Sequence, residues 1–336
     1  MPDLPISDRP ALEWGHGEAV AYRPCVLPLI CLDVDGTLVG RAGEPSAALW
    51  SAAADARDRG QRLTLCTARL AAGPTRTWAE QLDPQGWHIF HTGAARWNPA
   101  TGEVRAEPIA DEAVAACADI AAARGWVLET YSWDDYVVDS DDPLAVAHAA
   151  LLALPHRRRP VTDLADPVVR VQFVVTAAEA ADAVAAAPAG TTASAATSPV
   201  MPGAAFVSVT VAGVSKAAGI GHVADDLGVP LSDVMMVGDG HNDLPAIEAV
   251  GWGVAMGNAE PEVIAAARLL VADASMAWTP PGSLRRWLIG SSSSVEAPPA
   301  TPRPPRLPAS VPRSPSSSAT SWAARPTCST ASPPRR

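Results

Sequence analysis

The stretch Leu32-Asp33-Val34-Asp35-Gly36-Thr37-Leu38 decides how the rest of the chain is interpreted. It follows an apolar run over residues 26–31, a pattern typical of a buried strand in a parallel sheet. Residues i and i+2 of an extended segment project to the same side, so we expect Asp33 and Asp35 to converge beyond the end of this strand. Open α/β sheets bind ligands at that edge, and paired carboxylates suit Mg²⁺. An ordinary surface turn is the alternative, because Asp-Gly is a common turn pair.

The order of predicted strands and helices divides the chain into a core and an insert. Residues 26–100 and 205–289 predict strands alternating with helices, with a third strand of the core at 87–90. Residues 101–204 predict hairpins and helices typical of an α+β domain, and a strand at 206–211 falls at its boundary. The sequence therefore predicts an α/β fold, a Rossmann-like doubly wound parallel sheet with an inserted α+β domain.

The two ends of the chain do not continue this pattern. Residues 1–25 are polar and contain proline, and we expect an N-terminal extension that packs partly on the core. Residues 290–336 are mostly Ser, Pro, Ala and Arg without an apolar period. Such a composition cannot bury enough surface to offset chain entropy, so we expect a disordered Pro/Ser/Arg-rich tail.

Charge and composition exclude some classes of function. A net charge of −11 argues against a nucleic-acid binder, although a local Mg²⁺ and a lysine can still create a phosphate site. No apolar run approaches the roughly 20 residues of a membrane span, and the first residues do not resemble a secretory signal. Five cysteines without a pairing pattern fit a reducing compartment. We therefore expect a cytoplasmic monomer or homodimer with no membrane or nucleic-acid partner.

Other segments place further polar and charged side chains at the ends of predicted strands and helices. Thr67 ends the second predicted strand, beside the first, and its hydroxyl offers a hydrogen-bond donor there. Lys216 opens a predicted helix, which is unfavourable against the helix dipole and would be explained by an anionic ligand. Asp239, Asn242 and Asp243 follow another strand, among glycines that let the backbone approach an ion closely. A solvated surface lysine and a structural glycine turn are the alternatives for the last two segments.

Taken together, these segments resemble the four motifs of the haloacid dehalogenase (HAD) superfamily, Cof-type subfamily, over residues 26–275. The segments are DVDGT at 33–37, CTAR at 66–69, GVSK at 213–216 and VGDGHND at 237–243. AMGNA at 255–259 also resembles a loop of that family, with an expected structural role at the rim of the site.

The departures from the family pattern leave every catalytic group in place. Ala68 and Ala217 stand where glycine is usual, Thr92 stands where the subfamily often has Asn, and Leu244-Pro245-Ala246 lacks a frequent Met. The change at Thr92 is expected to alter substrate contacts. His241 occupies the variable position of the last motif, and we expect a loop residue and not a metal ligand.

The resemblance implies a Mg²⁺-dependent phosphatase that hydrolyses small phosphate monoesters, such as sugar phosphates or similar metabolites, through an aspartyl-phosphate. Asp33 would attack phosphorus, and Asp35 would protonate the leaving alcohol and then activate water. The further roles implied are catalytic phosphate binding by Thr67 and Lys216, substrate contact by Gly36, Arg69 and Asn242, and Mg²⁺ binding by Asp33, Asp35 (through its main-chain carbonyl), Asp239 and Asp243.

The inserted domain stands where the subfamily carries a cap of the C2B type, which would close over the site and select the substrate. Residues 133–136, Trp-Asp-Asp-Tyr, either contact a sugar or form a hairpin tip, and the hairpin tip is preferred. A phosphomutase, a trehalose- or sucrose-phosphate phosphatase, and a non-catalytic binding protein with the same fold are alternatives. A P-type ATPase is disfavoured because that motif has Thr at the position of Asp35.

Overall fold

The computed structural model describes residues 27–40, 43–197 and 201–271, together with the backbone of Ser321–Ala323. The expected N-terminal extension at 1–25 lies outside these residues, as does the tail at 290–336 apart from Ser321–Ala323. That short segment pairs antiparallel with residues 103–105. Disorder in the rest of the tail stays a prediction.

Strands and helices cover most of the described chain. The strands are β1 (Leu29–Leu32), β2 (Arg62–Leu65), β3 (His88–Phe90), β4 (Ala95–Trp97), β5 (Glu103–Ala106), β6 (Val127–Tyr131), β7 (Tyr136–Val138), β8 (Arg170–Thr176), β9 (Thr191–Thr197), β10 (Ala204–Val211), β11 (Val234–Gly238), β12 (Trp252–Ala255), β13 (Leu269–Leu270) and β14 (Ser321–Ala323). The α-helices are α1 (Ala47–Asp58), α2 (Gly73–Leu82), α3 (Asp111–Arg124), α4 (Pro143–Leu151), α5 (Ala180–Ala185), α6 (Lys216–Asp226), α7 (Leu244–Ala249) and α8 (Pro261–Ala266).

The core is a parallel sheet with helices on both faces. Its strand order is β13-β12-β11-β1-β2, and every neighbouring pair is parallel. Side chains of α1 and α2, such as Leu49 and Leu82, pack on one face, and side chains of α6 and α8, such as Ile220 and Val263, pack on the other. This is the predicted doubly wound arrangement. β1 separates β11 from β2, so the chain reverses its direction of winding beside β1.

The helix that follows the first acidic loop shows how local sequence sets an element's ends. Ser46 lies just before α1, and its hydroxyl accepts a hydrogen bond from the backbone N of Leu49 at 3.2 Å. This satisfies one of the orphan N–H groups of the first turn. Gly60 then turns the chain at a φ of +82°, a conformation that glycine adopts without a steric penalty.

The inserted domain is built on an antiparallel sheet with the order β7-β6-β8-β10-β9. α3 and α5 cover one face of this sheet, and α4 packs on the other. The boundary expected at residue 205 is therefore wrong, because β10 lies wholly in this sheet and the chain returns to the core at α6. Both faces of β10 are buried, so its sequence has the continuous apolar pattern of a core strand. The exposed edge strand β9 was not predicted.

The strand expected third in the parallel sheet touches the end of β2 in parallel but pairs mainly in another sheet. β3 pairs antiparallel with β4, and β4 with β5, in a separate sheet beside the core. A single parallel bridge between Cys66 and Ile89 links β3 to the end of β2. Short apolar runs do not reveal all of their pairing partners, so the sequence predicted the parallel contact with β2 but not the hairpin with β4.

The inserted domain docks on the loop that follows β2. Leu70 packs into the cluster that contains Tyr131 and Tyr136, and the backbone N of Ala71 donates to the Trp133 carbonyl at 3.1 Å. Among the described residues, no helix is both long enough and apolar enough to cross a membrane.

Candidate active site

The site lies at the carboxyl end of the parallel sheet, at the switch point beside β1. The loops after β1, β2 and β11 meet there with the first turn of α6. The backbone N of Asp33 donates to the Val237 carbonyl at 3.0 Å, so the two acidic loops leave the sheet side by side. Doubly wound folds bind ligands at this position, as the sequence predicts.

Three carboxylates from two of these loops lie together. Asp33, Asp239 and Asp243 each offer an oxygen, and these oxygens all lie within 4.8 Å of one another. Burial raises the pKa of Asp33 well above its usual value, and the neighbouring Asp243 raises it further, whereas Lys216 opposes the shift. Burial and Asp243 also raise the pKa of Asp239, to about 6. The cluster is therefore one that a bound cation would stabilise.

Lys216 lies beneath this cluster with none of its surface exposed. Its Nζ donates to Asp33 Oδ1 and to Asp243 Oδ1, both at 2.6 Å. Burial alone would lower the Lys216 pKa, but the two carboxylates outweigh it and the pKa is raised. Two acids of the chain thus lie beside the helix start, and the anionic ligand expected there stays a prediction. Lys216 is also the only lysine in the chain.

The charge balance of the cluster fits a divalent cation. Three carboxylates face one ammonium, so negative charge remains in excess. Oxygen donors of this kind suit Mg²⁺ in both chemistry and number, since Mg²⁺ is held by a few carboxylates together with phosphate oxygens and waters. The residues present therefore fit the metal that the sequence implies.

Backbone groups hold the acids of the last motif in place. Asp243 Oδ2 accepts from the backbone N of Asp239 and of Gly240, each at 3.1 Å. Gly36 has a φ of +79°, and a Cβ at this position would lie 2.0 Å from Asp239 Oδ2. The glycine is thus needed for the two loops to approach, whereas its predicted substrate contact stays a prediction.

Asn258 is a site residue that sequence reasoning missed. Its Nδ2 donates to Asp239 Oδ2 and to the Gly36 carbonyl, both at 3.0 Å, and so joins the two acidic loops. The AMGNA resemblance pointed to this segment, but only a rim role was expected for it. Asn242, by contrast, is exposed, and the predicted substrate contact of its side chain stays a prediction.

Asp35 lies apart from the three-acid cluster. Arg69 holds its carboxylate in a bidentate pair, with Nε at 2.9 Å from Oδ2 and Nη2 at 2.6 Å from Oδ1. The Asp35 side chain is 62% exposed, so it stands at the open side of the site. Thr67 is fully buried, and its hydroxyl accepts from the backbone N of Arg69 at 3.1 Å. Thr67 and Arg69 thus lie in the loop after β2, and the Arg69 side chain ties this loop to Asp35 in the loop after β1.

The residues 133–136 form a hairpin tip, as preferred from the sequence. Tyr131 and Tyr136 pair at the end of β6 and β7. Asp135 makes a bidentate pair with Arg159, with both distances at 2.9 Å. His241 is an exposed residue of the loop after β11, as predicted, and it lies beside Glu260 and Glu262; that it binds no metal stays a prediction.

A doubly wound parallel sheet with acids and a lysine at its switch point, and an antiparallel domain inserted between its halves, defines a class of α/β hydrolases. The chain belongs to one family of that class, the haloacid dehalogenase-like hydrolases, whose family model matches residues 30–276. The family resemblance stated from the motifs is thereby confirmed.

Individual relatives support this assignment. The chain is 25% identical over 246 residues to the putative phosphatase YxeH of Bacillus subtilis, covering 71% of this chain and 90% of that protein. The match to the Bacillus subtilis stress response protein YhaX is 55% identical but spans 51 residues, only 18% of that protein and 15% of this chain.

Solved structures share the whole architecture. BT1666 from Bacteroides thetaiotaomicron, described among the HAD phosphatases, is similar with a TM-score of 0.65 and 25% identity, covering 79% of this chain and 96% of that one. The subclass IIB sugar phosphatase BT4131 has the same fold, with a TM-score of 0.62 at 24% identity, covering 74% of this chain and 94% of that one. The core and inserted domain therefore have the fold of this subclass.

Proposed function

We propose that this chain is a Mg²⁺-dependent phosphatase that hydrolyses small phosphate monoesters, with sugar phosphates or similar metabolites as its substrates. The observation that carries the proposal is the buried contact of Lys216 with Asp33 and Asp243 at 2.6 Å, beside a third acid. The names of YxeH, a putative phosphatase, and of BT4131, a sugar phosphatase, agree with this chemistry.

Asp33 is the nucleophile in this proposal. Its carboxylate attacks phosphorus in line, and the bond from phosphorus to the ester oxygen breaks as the bond to Asp33 forms. The Lys216 ammonium, fixed beside Asp33, stabilises negative charge on the phosphoryl oxygens. The Thr67 hydroxyl, which already accepts from the Arg69 backbone, donates its own proton to the same group.

Asp35 moves the proton. It protonates the departing alkoxide, and it then removes a proton from the water that attacks the aspartyl-phosphate, which releases phosphate and regenerates Asp33. Its exposed position suits both steps, because the alcohol leaves and water enters on that side. Arg69 orients the carboxylate through its two hydrogen bonds.

The metal would be held by Asp33, Asp239, Asp243 and the main-chain carbonyl of Asp35. When bound, Mg²⁺ supplies positive charge that offsets the clustered carboxylates and attracts the phosphate oxygens. Asn258 and the backbone donors to Asp243 keep these ligands in place. We also propose a cytoplasmic location, since the described cysteines Cys31, Cys66 and Cys117 are buried free thiols.

The test is hydrolysis of p-nitrophenyl phosphate and of a panel of sugar phosphates in Mg²⁺, by the full chain and by Asp33→Asn. We expect the variant to be inactive, because an amide is not a nucleophile. Asp58→Asn, at the exposed end of α1, is the matched control. Acid-quenched wild type should yield a phosphorylated peptide that contains Asp33. Wild-type turnover by Asp33→Asn would contradict the proposal.

Product analysis separates the alternatives. A phosphomutase converts a sugar phosphate without a matching release of inorganic phosphate, whereas a phosphatase releases one phosphate for each alcohol. Preference for trehalose or sucrose phosphate within the panel would narrow the substrate. Absence of Mg²⁺-dependent hydrolysis across the panel would favour a non-catalytic binding protein.

A further inference from the structure

One arginine of the inserted domain contacts the loop of residues 66–71 after β2, which holds Thr67 and Arg69 and is called the catalytic loop. Arg170, the first residue of β8, donates from Nη1 to the Ala68 carbonyl at 2.6 Å. Ala68 lies between Thr67 and Arg69, two of the residues assigned to the site. The Arg170 side chain is buried, so this contact is shielded from competing water.

The guanidinium is held from behind by an aromatic ring. Arg170 Cζ lies 3.9 Å from the ring centroid of Tyr131, its cross-strand neighbour. The Tyr131 hydroxyl donates to Glu129 at 2.6 Å, and Glu129 is fully buried. Gln172 also donates to Glu129, and His148 makes a further contact with it. The Tyr131 hydroxyl is therefore held in a buried hydrogen-bond network, and its ring packs against the Arg170 guanidinium.

Burial of the Arg170 side chain at this position is expected to lower the stability of the fold. No carboxylate of the described ranges 27–40, 43–197 and 201–271 forms an ion pair with it, and its Nε has no hydrogen-bond partner in that part of the chain. A buried charge without a counter-charge costs free energy, and an apolar side chain would fill the same space more favourably. Stability of the domain interface alone does not account for an arginine at this position.

The other polar groups of the loop are already anchored within the core. The Thr67 carbonyl accepts from Thr92 N at 2.9 Å, and the Arg69 carbonyl accepts from His91 N at 3.0 Å. The Ala68 carbonyl between them is held by the inserted domain instead. The orientation of this peptide group sets where Thr67 and Arg69 point, and Arg69 in turn orients Asp35.

We propose that Arg170 is a positioning residue for the phosphatase reaction. Arg170 holds the catalytic loop in its working conformation when the inserted domain is docked. Docking of the inserted domain therefore determines the orientation of Arg69 and, through it, of the acid–base residue Asp35. This inference rests on the function proposed above. Because the contact is to the loop and not to a substrate, its loss lowers kcat and leaves KM nearly unchanged.

The experiment compares Arg170→Met and Arg170→Lys in the full chain, with p-nitrophenyl phosphate in saturating Mg²⁺. We expect kcat of Arg170→Met to fall by about 10- to 100-fold, as for a misplaced catalytic group, with KM within about threefold. Arg170→Lys should recover part of the loss, since its ammonium can still donate to the Ala68 carbonyl. Arg158→Met, an exposed arginine of the same domain, is the matched control and should leave both constants unchanged.

Two further measurements keep the result decisive if Arg170→Met folds poorly. Tyr131→Phe keeps the ring beneath Arg170 and removes only the hydroxyl that reaches Glu129, and we expect a smaller fall in kcat, also without a change in KM. Addition of guanidinium ion at low, non-denaturing concentration should raise kcat of Arg170→Ala, and an equal concentration of NaCl should not.

If the wild type is active and Arg170→Met has the same kcat, the role of Arg170 is contradicted while the proposed function stands. The role is also contradicted if Arg170→Met is folded and Arg170→Lys has a kcat as low as that of Arg170→Met. Wild type without activity on any phosphate ester would instead overturn the proposed function, and with it the role given to Arg170.

Discussion

Lys216 and Asp33 lie 183 positions apart in the chain, yet the lysine Nζ donates to the Asp33 carboxylate at 2.6 Å. The lysine side chain has no exposed surface, and that of Asp33 is 7% exposed. The chain therefore places its single lysine against the residue proposed as nucleophile. This contact joins the two halves of a core that the inserted domain separates in sequence.

Replacement of Lys216 by Met should reduce kcat by about 100- to 1000-fold, as for loss of one preorganised donor to a developing charge. It should also destabilise the chain in the absence of metal, because two buried carboxylates lose their counter-charge. Urea denaturation with and without Mg²⁺ checks the second effect, and added Mg²⁺ should restore part of the loss. A kcat within twofold of wild type would contradict the role of Lys216.

Burial of Lys216 can be measured without any substrate. Because it is the only lysine, an amine-acylating reagent labels it and the chain's α-amino group alone. We expect slow labelling of Lys216 in the native protein and fast labelling in urea, since its ammonium is enclosed and its pKa is raised. Mass spectrometry of the peptide that contains residue 216 gives both rates. Equal rates in the two states would show that the site is open.

Replacement of Asn258 by Ala should weaken metal binding, because its amide orients the Asp239 carboxylate. Loss of such an outer contact costs about 10- to 100-fold in metal affinity. The Mg²⁺ concentration for half-maximal activity should rise accordingly, with little change in kcat at saturation. Glu262→Gln, in the exposed acidic group near His241, is the control. If Glu262→Gln shifts the Mg²⁺ requirement and Asn258→Ala does not, the metal site is misassigned.

Replacement of Thr92 by Asn should stabilise the protein by about 1 kcal/mol, the scale of strain for an unfavourable backbone conformation. Thr92 has a φ of +58°, in the left-handed region that a β-branched residue adopts poorly and Asn tolerates. Ala153→Asn, at a φ of +56° and exposed, should shift stability in the same direction. The urea midpoint checks both, and a lower midpoint for Thr92→Asn would show that its side chain packs favourably enough to outweigh the strain.

His88 should make the protein less stable in mild acid. It is buried, and burial lowers its pKa from 6.5 to about 4, so the unfolded chain binds the proton more tightly than the folded one. Above pH 6.5 the imidazole is neutral in both the folded and the unfolded chain, so His88 does not reduce the free energy of unfolding. As the pH falls from 6.5 toward 4, the unfolded chain takes up the proton first and the free energy of unfolding decreases. Between pH 7 and pH 5 we expect wild type to lose about 2 kcal/mol more than His88→Gln, at about 1.4 kcal/mol for each pH unit of difference. Parallel pH profiles of unfolding free energy for the two proteins would exclude this contribution.

The candidate site was largely predictable because its residues stand at the ends of predicted strands and at a helix start. Asp33, Asp239 and Lys216 each carry a local signal, since acids after apolar strands and a lysine at a helix N-terminus are unfavourable without a partner. Asn258 carries no such signal, because an asparagine in a loop is ordinary. Its role depends on how the loop at 255–259 lies across Gly36 and Asp239.

Strand pairing was less predictable. β3 and β10 have the apolar runs of core strands, and the sequence alone does not reveal which sheet each joins. β10 is buried on both faces by helices of the inserted domain, and β3 turns back into a hairpin with β4. The apolar residues of a short segment indicate that the strand is buried. Which strands it pairs with depends on contacts between segments that lie far apart in the chain.

By itself, the sequence determined the alternation of strands and helices, the family, and the acids and lysine placed where elements end, because these depend on local patterns of polarity. Only the tertiary structure decided which of them meet. It separated Asp35, paired with Arg69, from the cluster of Asp33, Asp239 and Asp243, and it brought Arg170 onto the carbonyl of Ala68 in the loop after β2. The physical reason is that distances between residues far apart in the chain follow from packing of the sheets and domains, which no local pattern encodes.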